Sequence, residues 1–453
     1  MRIQLRKTHG NVLFGTLVAT SIICLYLGSY LTLIRNENQL TRRSQTWNGA
    51  IPIAEAGIEE AFTRLQWNTN ITSGNNNWVV NGSYYIKTNY LNTNEHYIVG
   101  ILLTSGQLPV IVSQGFTRPS SQTNFISRTI RVNTRPKSFF GMGMVADISV
   151  DFNGDRVIID SFDSSDPRYS TNGGQYHVSR RKDNGTVAVN AGLSSTPSSG
   201  GLGNVDIYGK ITTGPGSTQP YIGPQGIVGS SNYIAVSSNQ GTIQSGAWTN
   251  DANFDLDPVE LPFTSANAPP TTNGYKYVLG TGDYRVSDFN AANTGVKVLV
   301  TGNARLLVTS SFDFKGLLTI QTNATLQLYM SAPSAKISGV QNLSGVAKNF
   351  TYYGTTNNSS LTISGNGTFS GAIYAPSANF TMDGGGSTDF DFSGASVTKL
   401  TTMNGRFKFH YDEELGRSGA INGFAATSWD ELILSWNTIL SSNMTTAQVQ
   451  AAP

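Results

Sequence analysis

The chain opens on its longest apolar run. Gly10 to Ile34 reads GNVLFGTLVATSIICLYLGSYLTLI, and the 27 residues from Thr8 to Ile34 include no Asp, Glu, Lys or Arg. As a helix rising ~1.5 Å per residue the run spans about 40 Å, enough to cross a ~30 Å hydrocarbon core with some tilt. A helix also satisfies its own backbone hydrogen bonds in lipid, which a loop does not. A cleaved signal peptide is the competing reading. Its apolar core would run only ~7–15 residues before small residues such as Gly28 and Ser29. Length and flanks favour an uncleaved anchor. Arg2, Arg6 and Lys7 crowd one side, and Arg35, Arg42 and Arg43, with Glu37, are spread along the other. The count is tied, so proximity and the free amino terminus place the N-terminus inside and the rest of the chain outside.

Beyond the anchor, Ile51, Ala54, Ile58, Phe62 and Leu65 recur every three or four residues and mark one face of a continuing helix. Pro52 predicts a kink or a fresh helix start. Residues 71–137 then alternate as strands: Tyr84, Ile86 and Thr88; Tyr97, Val99, Ile101 and Leu103; Pro109 to Val112; Arg128 to Val132. Loops fall at 118–121 and 133–136.

From Phe139 to about His410, short apolar pieces recur between Gly, Asn and Ser turns. Asn303, Asn323 and Asn342 are spaced 20 and 19 residues apart, with strands before the first two (298–300, 318–320) and apolar patches after all three. A period near 20 predicts stacked coils of a parallel β-helix, with those Asn side chains in a ladder; a β-sandwich is the alternative. Asp251 to Leu261, DANFDLDPVEL, reads as an extended segment crossing the domain. SWDEL (428–432) has Thr427 or Ser428 as an N-cap and places Trp429, Leu432, Ile433 and Trp436 on one face, predicting a terminal helix over an open end or flank of the coils.

Composition narrows the function classes. Charged residues make up 13% of the chain and aromatic residues 10%, with a net charge of +2. That pattern argues for an ordered β protein with polar turns rather than disorder. No basic stripe is present, so nucleic acid is not an expected partner. The single cysteine, Cys24, lies in the apolar run, which excludes an internal disulfide or a cysteine metal cluster.

Three groups of polar residues are candidate sites. His410, Asp412, Glu413 and Glu414 form the densest titratable cluster; His and Asp two apart on a strand would share a face and hold a metal. Against this, Tyr411 and Leu415 would pack while the charges bond a turn, and the structural reading is preferred. Asp151, Asn153 and Asp155 have the oxygen spacing of a calcium loop, but Arg156 and Phe162 at its sixth and twelfth positions exclude an EF-hand. Only a looser site with Asp160, Asp163 or Asp166 would remain, set against solvated turns. Asp389 and Asp391, with Arg406 and Lys408 as a substrate clamp, would suit a carbohydrate-active β-helix enzyme by fold analogy alone. No catalytic, cofactor or metal site is assigned.

The order of a basic tip, an apolar helix and AEAGIEEAFTRL (54–65) resembles the amino-terminal region of PilX-like proteins, the minor pilins of type IV pilus assembly. VSQGFTRPSSQTNFISRTIRV (112–132) resembles the strand pair that follows there. IIDSFDSSDPRYS (158–170), NVDIYGKITTGPG (204–216), GAIYAPSANFTMDGGGS (371–387), FKFHYDEEL (407–415) and SWDEL are similar to the β-rich carboxy-terminal region of large pilin-like envelope proteins. The resemblance implies prepilin processing between Gly10 and Asn11, and an assembly helix carrying Glu55, Ala56, Gly57, Ile58 and Glu59. Gly15 stands where such pilins carry Glu at the fifth mature position, which sets a permanent anchor beside a filament subunit as the outcome.

The expected protein is mainly β. A cytoplasmic tip (1–9) leads to a transmembrane helix extended into the periplasm (10–67), a small β domain (71–137), a parallel β-helix (138–415), and a closing C-terminal helix and tail (416–453). The expected function is non-enzymatic: a single-pass bacterial inner-membrane protein with an extracytoplasmic C-terminal domain, open to surface exposure, contributing to type IV pilus or pseudopilus assembly and surface presentation. Membrane lipid (through residues 10–34), pilin-like or pilus-assembly proteins, and surface glycans are the partners. A carbohydrate-active enzyme and a surface adhesin are the alternatives.

Overall fold

The computed structural model describes residues 12–67, 77–104, 107–119, 122–153, 157–171, 173–193, 201–272, 274–291, 295–365, 367–384, 389–418 and 421–432. Contacts divide the chain into two units: Met1–Pro136 together with Gly423–Pro453, and Lys137–Asn422.

The first unit is a long helix on an antiparallel sheet. Helix α1 (Val12–Trp67) is a single element that runs through Pro52, so the expected fresh start does not occur. Pro52 and Asn48, the residue whose carbonyl loses its partner, are both exposed, and water can satisfy that carbonyl. Strands β1 (Val79–Asn81), β2 (Tyr84–Asn92), β3 (Glu95–Leu102), β4 (Val110–Thr117) and β5 (Ile126–Ser138) form an antiparallel meander in that order. Ile53, Ala54, Ile58 and Ala61 of α1 are buried against Tyr97, Val99, Ile101, Ile111, Ile130 and Val132.

The sixth strand of this sheet corrects the expected terminal helix. Ile421–Leu432 is a strand beside β5; it belongs to this sheet and not to the coils. The reason is tertiary pairing. Ser428 meets Asn133 (2.9 Å), Asp430 meets Arg131 (3.1 Å), and Glu431 receives both nitrogens of the Arg128 fork. Leu432 is buried with Tyr84, Leu102, Val110 and Val112. These partners outweigh a local helical pattern whose remaining face residues, Ile433 and Trp436, lie outside the described residues. The second unit is thus an insertion between two neighbouring strands of the first unit's sheet.

The second unit is a parallel β-solenoid of about nine turns. Its winding is discontinuous. The first coil strand, Met144–Phe152, pairs in parallel with the last long one, Phe390–Gly405. From there the coils proceed through Val187–Val189 and Ile211–Thr213 to Trp248–Thr249. The chain then starts again at Tyr277–Leu279 and Gly282–Ala291, and winds back through Asn303–Phe314, Thr325–Met330, Phe350–Gly354 and Thr368–Gly384. The connection is the extended segment read from DANFDLDPVEL. It bonds Asn190 through Phe254, accepts from the Tyr374 hydroxyl at Asp257, bridges Thr355 at Val259 and accepts from Arg285 at Thr264. Aromatic rings stack inside the coils at the strand spacing: Phe369 on Phe392 at 4.9 Å and Phe392 on Phe409 at 4.7 Å.

The expected Asn ladder does not form where the sequence placed it. Asn303 lies beside Thr325, a step of 22 residues. Two residues, 301 and 302, precede Asn303 at its corner, whereas four, 321–324, precede Thr325. Asn323 therefore sits in a turn, and Asn342 stacks on Ile320. A polar ladder runs elsewhere. Ser338 bonds Ser364 (3.0 Å), Ser364 lies beside Asp383, Asn404 donates to Asp383 (2.9 Å) and Asn153 donates to Asn404 (3.5 Å).

Candidate functional site

Two regions carry chemistry beyond packing. The first is α1. From Val12 to Gly49 only Ile34 and Thr46 are even half-buried. The span is long and apolar enough to cross a membrane. Further along, Gly57 and Ile58 are buried, while Glu55, Ala56 and Glu59 face solvent. Gly57 lets the helix lie close on β3 and β4: a Cβ there would come within 2.9 Å of the Tyr97 ring and closer still to the Ser113 hydroxyl. Gly115 on β4 does the same from the sheet side, against the Ala50 and Ala54 backbone. Glu60 reaches the sheet, paired with Lys87 and accepting from the Tyr97 hydroxyl. Burial and that carboxylate push the Tyr97 phenol up to about 12. The processing pair Gly10 and Asn11 lies outside the described residues.

The second region lies on the outer face of the solenoid. Strand Phe407–Asp412 alternates, so with Phe407 and Phe409 in the core, Lys408 and His410 point outward. His410 is nevertheless 1% exposed. The excursion between strands Val157–Phe162 and Val187–Val189 lays the Tyr176 ring flat over the imidazole, centroids 3.5 Å apart and planes 13° from parallel. His410 Nδ1 lies 2.6 Å from Asp160 Oδ1, and Asp160 Oδ2 accepts from the Tyr176 hydroxyl at 2.7 Å. On the other side, His410 Nε2 lies 3.6 Å from Asp391 Oδ1, and both atoms are buried without a hydrogen bond. Burial alone would push the His410 pKa down; the Asp160 bond and Asp391 outweigh it and hold the imidazole above its ordinary value. Burial and Asp160 hold the Tyr176 phenol well above its ordinary range.

The remaining polar candidates are occupied by structural bonds. Asp412 turns away to accept from the backbone N–H groups of Ser164 (3.0 Å) and Glu414 (3.2 Å), and burial raises its pKa. Glu413 pairs with Lys182 and accepts from Ser161 (2.9 Å) and Asn184 (2.8 Å). Glu414 meets Arg417 (3.2 Å) and Lys348 (3.7 Å). The HYDEEL run therefore ties the excursion to the last coil. In the Asp151–Asp155 loop, Asp155 lies outside the described residues, and Asn153 donates to Asp151 (3.0 Å). Arg406 and Lys408 both pair with Asp389, at 3.2 and 2.7 Å, so the clamp pattern closes on the chain's own carboxylate. Among the described residues no group of three His, Cys, Asp or Glu is placed to hold a metal ion. Asp160 and Tyr176, the partners that bury His410, carry no signal near it in sequence; Asp160 stands out there only as a neighbour of the calcium-like loop.

Residues 240–418 match a family described only as a domain of unknown function, DUF7305. No curated protein sequence matches the chain. Among solved structures, the chain is similar to the competence-associated pilin ComZ from Thermus thermophilus, at 11% identity over 84% of this chain and 96% of that one, with a TM-score of 0.26. It is also similar to the DUF3494 domain of ice-binding protein_1 from Shewanella frigidimarina, at 14% identity over 62% of this chain and 99% of that one, with a TM-score of 0.25.

Proposed function

We propose that this chain is a membrane-anchored, non-enzymatic, pilin-like envelope protein that presents a β-solenoid outside the cytoplasm, in a PilX-like or pseudopilus-type assembly. The observation that carries the reading is α1, one helix with two different surfaces. Its second part is buried on a sheet. Its first part leaves Leu13, Phe14, Leu17, Ile22, Ile23, Leu25, Leu27, Leu31 and Leu33 exposed. At ~1.5–3 kcal/mol per large apolar side chain, covering these nine is worth on the order of 20 kcal/mol. That exceeds the whole stability of a typical domain, about 5–15 kcal/mol, so the helix requires lipid or neighbouring helices around it. Lateral packing of helices supplies assembly.

Cys24, the chain's only cysteine, is a built-in probe at the centre of the apolar run. The protein should sediment with membranes, resist salt extraction and dissolve in detergent. Cys24 should stay unlabelled by a membrane-impermeant maleimide until detergent is added. Full labelling of intact protein in the soluble fraction would sink the anchor. Mass spectrometry of the mature amino terminus separates an intact chain from one starting at Asn11 or near Ser29, and co-sedimentation with sheared filaments tests assembly.

A further inference from the structure

The discontinuous winding leaves a seam in the solenoid. Strands Met144–Phe152 and Val157–Phe162, early in the chain, pair with Phe390–Gly405 and Phe407–Asp412, more than 240 residues later. No short connection ties these strands, so the junction rests on the parallel backbone ladder and on the side chains that cross it. His410 lies opposite Asp160 across it. Among the described residues, the other ion pairs between the same two chain segments are Lys182 with Glu413 and Arg417 with Asp163 (2.6 Å).

We propose that His410 is a proton-operated clamp on this seam, closing the solenoid and its 163–184 excursion when the imidazole is doubly protonated. The geometry is that of an imidazolium between two carboxylates on three adjacent strands: Asp391, His410 and Asp160. With both nitrogens protonated, Nδ1–H meets Asp160 and the positive charge at Nε2 lies at ion-pair distance, 3.6 Å, from Asp391 Oδ1, so the two buried atoms that lack a hydrogen bond attract each other. With one proton lost, a buried nitrogen lone pair faces a carboxylate, and the stacked Tyr176 loses the cation beneath its ring. The groups around the imidazole are Asp160 and Asp391 on the flanking strands, Tyr176 and the Arg181 beyond it on the excursion, Lys408 and Asp412 two residues either side on its own strand, and Tyr208 and Asp206 on the next coil, where Arg181 lies over the Tyr208 ring at 3.8 Å.

The sign follows from linkage. The folded His410 pKa is raised above the ordinary 6.5. The stabilisation is therefore complete below that unfolded value and is lost as pH rises through the folded value. The test uses the full chain in detergent. The imidazole signals are followed by NMR across pH, with His410 assigned by its absence in His410→Gln. In parallel, amide exchange is measured on strands 157–162 and 407–412, with protease cleavage in 163–184. The expected result is a His410 pKa above 6.5, and a seam whose opening constant grows with pH by the ratio of the unfolded and folded acid constants. That pH dependence should vanish in His410→Gln. Asp391→Asn, which keeps the side-chain shape at a half-exposed position, should lower the His410 pKa and shift the opening to lower pH. A His410 pKa at or below 6.5, or the same pH profile in wild type and Asp391→Asn, overturns the clamp even where His410→Gln fails to fold.

Discussion

The helix–sheet contact of the first unit makes a sharp prediction at Gly115. This strand glycine has ordinary backbone angles, so alanine there carries no conformational penalty of its own. What it meets is the helix backbone: an added Cβ would sit 2.5 Å from the Ala54 nitrogen and nearer still to the Ala50 carbonyl oxygen. Neither atom belongs to a side chain that can rotate away. Restoring an ordinary contact of about 3.3 Å requires α1 to lift by about 1 Å, and gaps of that size forfeit a quarter to a half of each dispersion contact. Ile53, Ala54, Ile58 and Ala61 all share that interface. Overpacking of a close-packed core costs ~1–3 kcal/mol, and with backbone as the obstacle the upper end is expected for Gly115→Ala, about 3 kcal/mol. Hydrogen exchange of amides 53–65 reads it directly, since these open with the sheet contact. At ~1.4 kcal/mol per tenfold, protection should fall by about two orders of magnitude. Gly49→Ala is the matched control: nothing lies within 4 Å of its Cβ, and a helical Gly-to-Ala change gains ~1 kcal/mol. Unchanged protection in Gly115→Ala, or equal losses in both variants, would refute the close approach.

Other expectations follow from the same contacts. Phe392→Ala opens a cavity between Phe369 and Phe409, and chemical denaturation of the solenoid should show a loss of ~3–5 kcal/mol. Asn404→Ala breaks the polar ladder between Asp383 and Asn153 and should cost ~1 kcal/mol, whereas Asn323→Ala, at a turn, should stay within about 0.5 kcal/mol; the reverse ranking in thermal melts would restore the 20-residue register. Asp163 has its pKa held down, against the effect of burial, by bonds from Ser165 and Arg417. Its stabilisation is therefore present above the unfolded value of about 3.8 and is lost as pH falls through the lower folded value, and Asp163→Asn should flatten the acid limb of a pH–stability curve.

Much of the architecture was legible from local pattern. Charge-free length marked the apolar helix, and the spacing of Ile51, Ala54 and Ile58 marked the face that packs. Alternation marked the strands that became β2 to β5. Short apolar pieces between turns marked the solenoid, and Asp251 to Leu261 its crossing segment. These features are properties of neighbouring residues, with periods of 3.6 or 2 that need no partner to be visible.

What the tertiary structure alone decided was everything that depends on residues far apart. SWDEL carried a helical pattern and became a strand, because Arg128, Arg131 and Asn133 offered it a sheet edge some 300 residues upstream. The ladder register moved because corner loops differ in length, which a fixed period does not express. The seam, with Asp160 and Tyr176 closing over His410, joins positions about 250 residues apart that have no mutual signal in sequence. An outward-facing histidine on an alternating strand reads as exposed; only the excursion folded across it makes it a buried charge between two carboxylates.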